Sequence, residues 1–291
     1  MPGVRVHPAN GEFSRANAMK HRRSSNDASR RYHDRVARQY DGIYDDRYWE
    51  FHDRLTWQAI RPYLPSDSQG QCCDLGCGTG KWGLKLLKSG LATTFVDHSA
   101  AMIEQTRAKL PALGAKARKA TLLVADLVDL SAIESDRFDL VLAMGDPLSI
   151  CADPPRAARE MWRVCKPAGI VVATADNKLA AFDYYLDKGD LDALESFLKT
   201  GKTRWLTADE REQFELTTFT PAELQKLFER SGFEVVKLAG KTILPIRAFK
   251  HLLNDESAFE RLLRAEFDLA KDSTAAARAG HLQITARKRN K

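Results

Sequence analysis

The stretch from Gln71 to Gly83 constrains this chain more than any other: Gln-Cys-Cys-Asp-Leu-Gly-Cys-Gly-Thr-Gly-Lys-Trp-Gly. It reads as a short buried strand, a glycine turn and the start of a helix. Gly76, Gly78 and Gly80 alternate in the turn. Glycine there permits positive φ and lets a ligand approach the backbone closely. The helix that follows offers unpaired N–H groups and the positive end of its dipole. Asp74 stands at the strand's end, where a carboxylate can hold a cationic group of a small ligand.

Three nucleotide-type ligands compete for such a turn. A phosphate-binding loop needs Gly, four residues, then Gly-Lys-Ser/Thr; here Gly80-Lys81 is followed by Trp82 and preceded at the required distance by Leu75. Gly78, Gly80 and Gly83 do meet the dinucleotide fingerprint. Three glycines match by chance often, however, and the charge of Asp74 would face a pyrophosphate unfavourably. The run Asp-Leu-Gly-Cys-Gly-Thr-Gly resembles the first motif of the class I S-adenosylmethionine (SAM)-dependent methyltransferases, and further matches extend the resemblance over roughly residues 36 to 239. The resemblance implies a doubly wound, seven-stranded, mostly parallel α/β sheet of Rossmann-like type. It implies SAM as cofactor, with Gly76, Cys77, Gly78 and Gly80 against its methionine part and Asp74 near its amino group.

Two more strands end in acids. Ala92 to Asp97 is one, and Asp97 lies where an acid accepts the ribose hydroxyls of a bound adenosine in dehydrogenases and methyltransferases alike. Ser99-Ala100-Ala101-Met102-Ile103 continues in the manner of the methyltransferase second motif, with Ser99 placed to cap a helix. His98 and Met102 are grouped with the adenosine contacts on that basis. Thr121 to Leu127 is the other strand; by the resemblance Asp126 meets the adenine amino group and the Leu127 N–H a ring nitrogen. Three acids closing three successive strands would lie together on the carboxyl edge of a parallel sheet, where ligands bind in this architecture.

A fourth strand, Phe138 to Ala143, exits through Met144-Gly145-Asp146-Pro147. The resemblance puts Met144 beside the cofactor and Asp146 between cofactor and acceptor. Leu148-Ser149 follows rather than a second Pro and an aromatic, which weakens DNA and protein-glutamine acceptors. Asp146 can accept a proton, although Asp-Pro also serves as a plain turn initiator. Upstream, Tyr40-Asp41-Gly42-Ile43-Tyr44 looks like the Tyr-Asp-x-x-Tyr segment of many small-molecule methyltransferases. Tyr40 and Asp146 are therefore the catalytic candidates, with Tyr44, His52 and Asn177 as acceptor contacts.

The remaining organisation follows from patterning. Residues 1–30 are expected to be a basic, disordered tail, and 31–291 one catalytic domain with N-terminal helices over 31–65, including one from about Tyr48 to Tyr63. Helical inserts at about 176–219 and 240–279 are expected to cap the cavity. A Pro221 helix start, a sixth strand from Phe233 and a seventh strand from His281 to Arg287, antiparallel beside the sixth, complete the expected sheet.

Charge bears on the acceptor. Arg5, Arg15, Lys20, Arg22, Arg23, Arg30, Arg31, Arg35 and Arg38 face only Glu12, Asp27 and Asp34, so residues 1–38 hold the whole net charge of +6. The balanced remainder gives no reason to expect DNA. The basic segment keeps an RNA or protein acceptor open as an alternative; a NAD-dependent oxidoreductase and a non-catalytic SAM sensor are others. Five cysteines in no zinc-like spacing suggest small buried residues, no metal and a reducing cytoplasm. No apolar run is long enough for a membrane span. Oligomeric state, acceptor identity and the methylated atom are not legible.

Overall fold

A computed structural model describes residues 25–290 except 68 and 206. Its centre is a seven-stranded sheet in the order β3-β2-β1-β4-β5-β9-β8. The strands are β1 (Gln71–Leu75), β2 (Ala92–Asp97), β3 (Ala120–Val124), β4 (Phe138–Ala143), β5 (Cys165–Asp176), β8 (Phe233–Lys241) and β9 (His281–Lys288). The first five pair in parallel; β9 enters between β5 and β8 and runs antiparallel to both. This is the α/β, Rossmann-like methyltransferase architecture expected from the sequence. The chain winds outward in both directions from β1 and β4, so a crevice opens at their carboxyl ends.

The sheet is buried on both faces because its central strands are apolar throughout, as parallel strands covered by helices must be. Phe95, Phe138, Leu140, Val141 and Leu142 have no exposed surface. Helix α4 (Lys81–Lys88) lies close on β2 because Gly83 carries no side chain: a Cβ there would fall 2.2 Å from the Phe95 ring. Helix α7 (Pro154–Val164) buries Met161 and Val164 on the other side of the sheet. All five cysteines are buried and free, in keeping with packing roles.

Order at the N-terminus begins before the expected boundary at residue 30: a helix, α1, already covers 25–36. Ala28 packs with Phe214 and Leu216, and Val36 and Ala37 with Met102, which gives these residues a core to fold against. Most of the basic segment, residues 1–24, lies outside the described residues. A helical turn α2 (Tyr40–Ile43) and helix α3 (Arg47–Ile60) follow, α3 being capped by the Asp46 side chain on the Trp49 N–H.

The two inserts differ. The first contains helices α8 (Phe182–Lys188) and α9 (Leu191–Thr200) but also a two-stranded hairpin, β6 (Lys202–Trp205) with β7 (Phe214–Thr217), that helical patterning did not suggest. The hairpin packs on α1, with Tyr32 against Trp205 and Phe214. The second insert does not cap the crevice as a whole. Its helix α11 (Glu256–Leu269) seals Phe259 and Leu263 against Phe51 and Leu55, so it buttresses the outer face of α3.

Candidate active site

The glycine turn adopts the backbone that its residues permit: φ is +65° at Gly76, +54° at Gly78 and +86° at Gly80. Asp74 lies beneath it with no exposed surface, its Oδ2 accepting the Gly83 N–H at 2.7 Å. Its Oδ1 is buried without a hydrogen-bond partner, and burial pushes the carboxyl up to about 7. An uncompensated carboxylate oxygen behind the turn suits a cationic ligand and opposes a pyrophosphate.

Asp97 holds the turn to β2. Its Oδ2 accepts the Gly78 N–H and its Oδ1 the Ser99 N–H, each at 2.8 Å. Ser99 in turn caps helix α5 (Ala100–Lys109) on the Met102 N–H. Asp126 follows β3 and accepts the Val128 N–H through Oδ1. Its Oδ2 is taken by the Asn26 side-chain amide of α1 at 2.7 Å. Asn26 thus donates to the atom that the family resemblance reserves for the adenine amino group. Asp74, Asp97 and Asp126 do close three adjacent strands on one edge of the sheet, because β1, β2 and β3 pair in register. His98 is half-buried beside His33, ring centroids 5.7 Å apart, whereas Met102 is fully buried under α1. Cys77, Leu127 and Met144 are buried in the flanking core.

Tyr40 covers the turn. Its ring is 3.7 Å from where a Gly78 Cβ would stand, and the neighbouring Asp41 anchors α2 by accepting from Thr79 Oγ1 and pairing with Lys109 at 2.6 Å. Burial pushes the Tyr40 phenol well above its ordinary range, with Tyr44 adding to the effect. At neutral pH it is therefore a hydrogen-bonding wall residue, a poor proton acceptor. From Tyr40 an arc of ring contacts leads away from the turn: Tyr44 at 4.9 Å, Trp49 at 4.8 Å from Tyr44, His52 at 5.1 Å from Trp49, and His281 at 5.6 Å from His52.

The arc ends at Asp146. This residue adopts left-handed φ of +62°, and its N–H and that of Gly145 both donate to Thr174 Oγ1 at 3.0 Å. A non-glycine residue held there by a buried partner marks a loop whose geometry is fixed at some cost. Asp146 Oδ2 lies 2.9 Å from His281 Nδ1, without the alignment of a hydrogen bond. Asp176 Oδ1 lies 3.8 Å from the same nitrogen. Burial works against the Asp146 carboxylate, but His281, Lys241 and Thr174 outweigh it and hold the group below its ordinary range. Burial, then Asp146, pushes Asp176 up to about 6. Burial brings the Lys241 ammonium down to about 8 and the His52 imidazole to about 3, so His52 is neutral at physiological pH. Ligand atoms of Asp146, Asp176 and His281 fall within 4.8 Å of one another. Lys241 and His281 lie beside the two acids as basic partners, so the group is described as a polar cluster of acids and bases.

A methyltransferase-domain family model matches residues 72–169, the span from β1 to the turn inside β5. That span carries a methyltransferase domain, on a sheet of the class I SAM-dependent type. It is 23% identical over 262 residues to the tRNA 5-carboxymethoxyuridine methyltransferase of Escherichia coli, covering 88% of this chain and 95% of that protein. It is 34% identical over 133 residues to the phosphatidylethanolamine N-methyltransferase of Cereibacter sphaeroides, covering 44% of this chain and 58% of that one. Among solved structures, a SAM-dependent methyltransferase of Methanosarcina mazei shares the fold with a TM-score of 0.58 at 22% identity, covering 80% of this chain and 98% of that one. The chain is thus a SAM-dependent methyltransferase enzyme, and the dinucleotide reading of the glycines gives way.

For this methyltransferase, one expected acceptor contact changes role. Asn177 spends its amide on the carbonyls of Ala276, Ala277 and Ala279 and its Oδ1 on the Leu179 N–H, so it is a buried loop anchor with no free polar atom. His281, Asp176 and Lys241 were missed. His281 looked like the first residue of a strand; because β9 runs antiparallel, that residue pairs with Asp176 and Lys241 at the carboxyl edge.

Proposed function

We propose that this methyltransferase moves a methyl group from SAM to an O, N, S or C nucleophile of a small-molecule acceptor. The supporting observation is the polar cluster beyond the glycine turn: ring contacts run from Tyr40 and Tyr44 through Trp49 and His52 to His281, which meets Asp146, while the β6–β7 hairpin packs on α1. SAM supplies a methyl group on a sulfonium: an acceptor lone pair forms the new bond to carbon as the carbon–sulfur pair stays on a neutral thioether. Asp74, Gly76, Cys77, Gly78 and Gly80 would hold its amino-acid end, Asp97 its ribose and Asp126, Leu127, His98 and Met102 its adenine, with Met144 flanking the transfer axis. This chain's residues otherwise align the acceptor and exclude water. Tyr40 and Tyr44 serve as walls and hydrogen-bond donors; Asp146 orients polar groups at the acceptor end. Free, buried cysteines support a cytoplasmic home, and among the described residues no helix is long and apolar enough to cross a membrane.

A second reading has one specific support. The Escherichia coli relative named for a tRNA substrate aligns over nearly the full length of both chains, so an RNA acceptor is the competing assignment. Transfer of labelled methyl from SAM into separated small-molecule, tRNA and protein fractions of a bacterial extract tests both. Label in an isolable small molecule is expected; label confined to tRNA overturns the first reading.

A further inference from the structure

We propose that His281 is the general base of the transfer, with Asp146 as the positioning residue that fixes its ring. The proposal rests on reading the Asp146 end of the crevice as the acceptor side, but not on the acceptor being small. Three observations carry it. First, His281 is where the arc of rings from the glycine turn ends, so a continuous run of ring contacts links it to Tyr40 and Tyr44. Second, its Nδ1 stands 2.9 Å from Asp146 Oδ2 and 3.8 Å from Asp176 Oδ1, so the negative charge of the two acids favours a proton on Nδ1. Third, Nε2 makes no hydrogen bond with a described residue, is not among the buried unpartnered atoms, and the side chain keeps 21% of its surface exposed. One nitrogen lies beside a carboxylate while the other is unpaired among the described residues, the arrangement a proton acceptor needs.

The other candidates are weaker for physical reasons. Asp146 is held ionised by its cationic neighbours and is correspondingly less basic. Tyr40 is a reluctant phenolate. His52 Nδ1 makes no hydrogen bond and lies 3.8 Å from Asp53 Oδ1, and the imidazole loses basicity by burial, then by Lys241, which Asp53 does not offset. His281 differs: burial lowers its basicity, but Asp146 and then Asp176 outweigh burial and Lys241, so it is raised. The groups that face it are Asp146 from the β4 exit, Asp176 from β5, Lys241 from β8 and His52 from α3, with Asp53 of α3 paired away to Lys81. The step balances: the acceptor's O–H or N–H proton passes to Nε2 as the acceptor's freed pair bonds to carbon. The imidazolium gains the positive charge that the sulfonium gives up, and Asp146 and Asp176 offset it.

The test has two arms on the full chain. In the first, isotope-labelled histidine is followed by NMR against pH with S-adenosylhomocysteine present, the His281 signal being assigned by its loss in His281→Gln. A titration above the ordinary histidine value of about 6.5 that falls in Asp146→Asn is expected; no titration, or one that ignores Asp146, overturns the proposal. In the second, labelled-methyl transfer is measured in whichever extract fraction accepts label, from about pH 5.5 to 9.5. The wild-type rate should rise with pH until the raised value is passed. His281→Gln should lose about 100-fold or more together with that pH dependence, while keeping S-adenosylhomocysteine affinity within about threefold. Transfer by His281→Gln within about threefold of wild type, or transfer abolished by a chelator, overturns it. Label only in tRNA with His281→Gln inactive would sink the small-molecule reading and leave this one standing; label in small molecules with His281→Gln active does the reverse.

Discussion

Replacing Asp97 by alanine should damage stability and cofactor affinity by separable amounts. The side chain is only 8% exposed and both oxygens are used by backbone N–H groups, those of Gly78 and Ser99. Removing it strands both donors, at about 1–3 kcal/mol each when solvent cannot reach them. Water entering the emptied space recovers part of this, so a loss of about 2–4 kcal/mol is expected in urea unfolding, with unchanged m-value. The affinity effect comes on top. A carboxylate accepting two ribose hydroxyls contributes charge-assisted bonds of about 1.5 kcal/mol or more each, which converts to roughly a hundredfold or greater rise in Kd. Asp97→Asn should fall between, because an amide keeps one acceptor and presents a donor to the other N–H. Isothermal titration with S-adenosylhomocysteine reads the second quantity. A Kd for Asp97→Ala within threefold of wild type, in protein that is still folded, would refute the assignment of this acid to the ribose.

Two other variants should move stability and binding in instructive directions. Asp74 is a buried acid whose folded value, about 7, lies above the ordinary aspartate value of 3.8; the folded state therefore binds the extra proton, and stability falls as pH rises from about 4 to 7. Asp74→Asn should flatten that slope in denaturation measured at several pH values and raise stability near neutrality, while weakening SAM more than the uncharged adenosine. Asn26→Ala should tighten S-adenosylhomocysteine binding by several-fold in the same titration, since the Asn26–Asp126 bond must give way to the adenine and a hydrogen bond is worth about 0.5–1.5 kcal/mol net; weaker binding would mean that α1 holds the cofactor rather than competes with it.

The cofactor half of the crevice was legible because its chemistry is local. Glycine at 76, 78 and 80 and acids closing three successive strands are one-dimensional signals, and the parallel pairing of β1, β2 and β3 turns them into one edge. The acceptor half was only partly legible. Asp146 and His52 could be nominated, but their companions Asp176 and Lys241 are brought to His281 only by the antiparallel insertion of β9 between β5 and β8. Asn177 misled because an amide after a strand looks alike whether it faces a ligand or, as here, a loop's carbonyls. The N-terminal boundary shifted for a similar reason: residues 25–30 look polar alone, and α1 is stabilised by tertiary contacts such as Ala28 on Phe214 and Leu216.

The most direct test of the account is a crystal structure of the chain with S-adenosylhomocysteine. The predicted result is one ligand across the carboxyl ends of β1 and β2, its ribose hydroxyls on Asp97, its amino-acid end over the 76–80 turn and its sulfur directed toward the Asp146–His281 end. Ligand density away from that edge, or a ribose that leaves Asp97 tied only to the Gly78 and Ser99 amides, would contradict it.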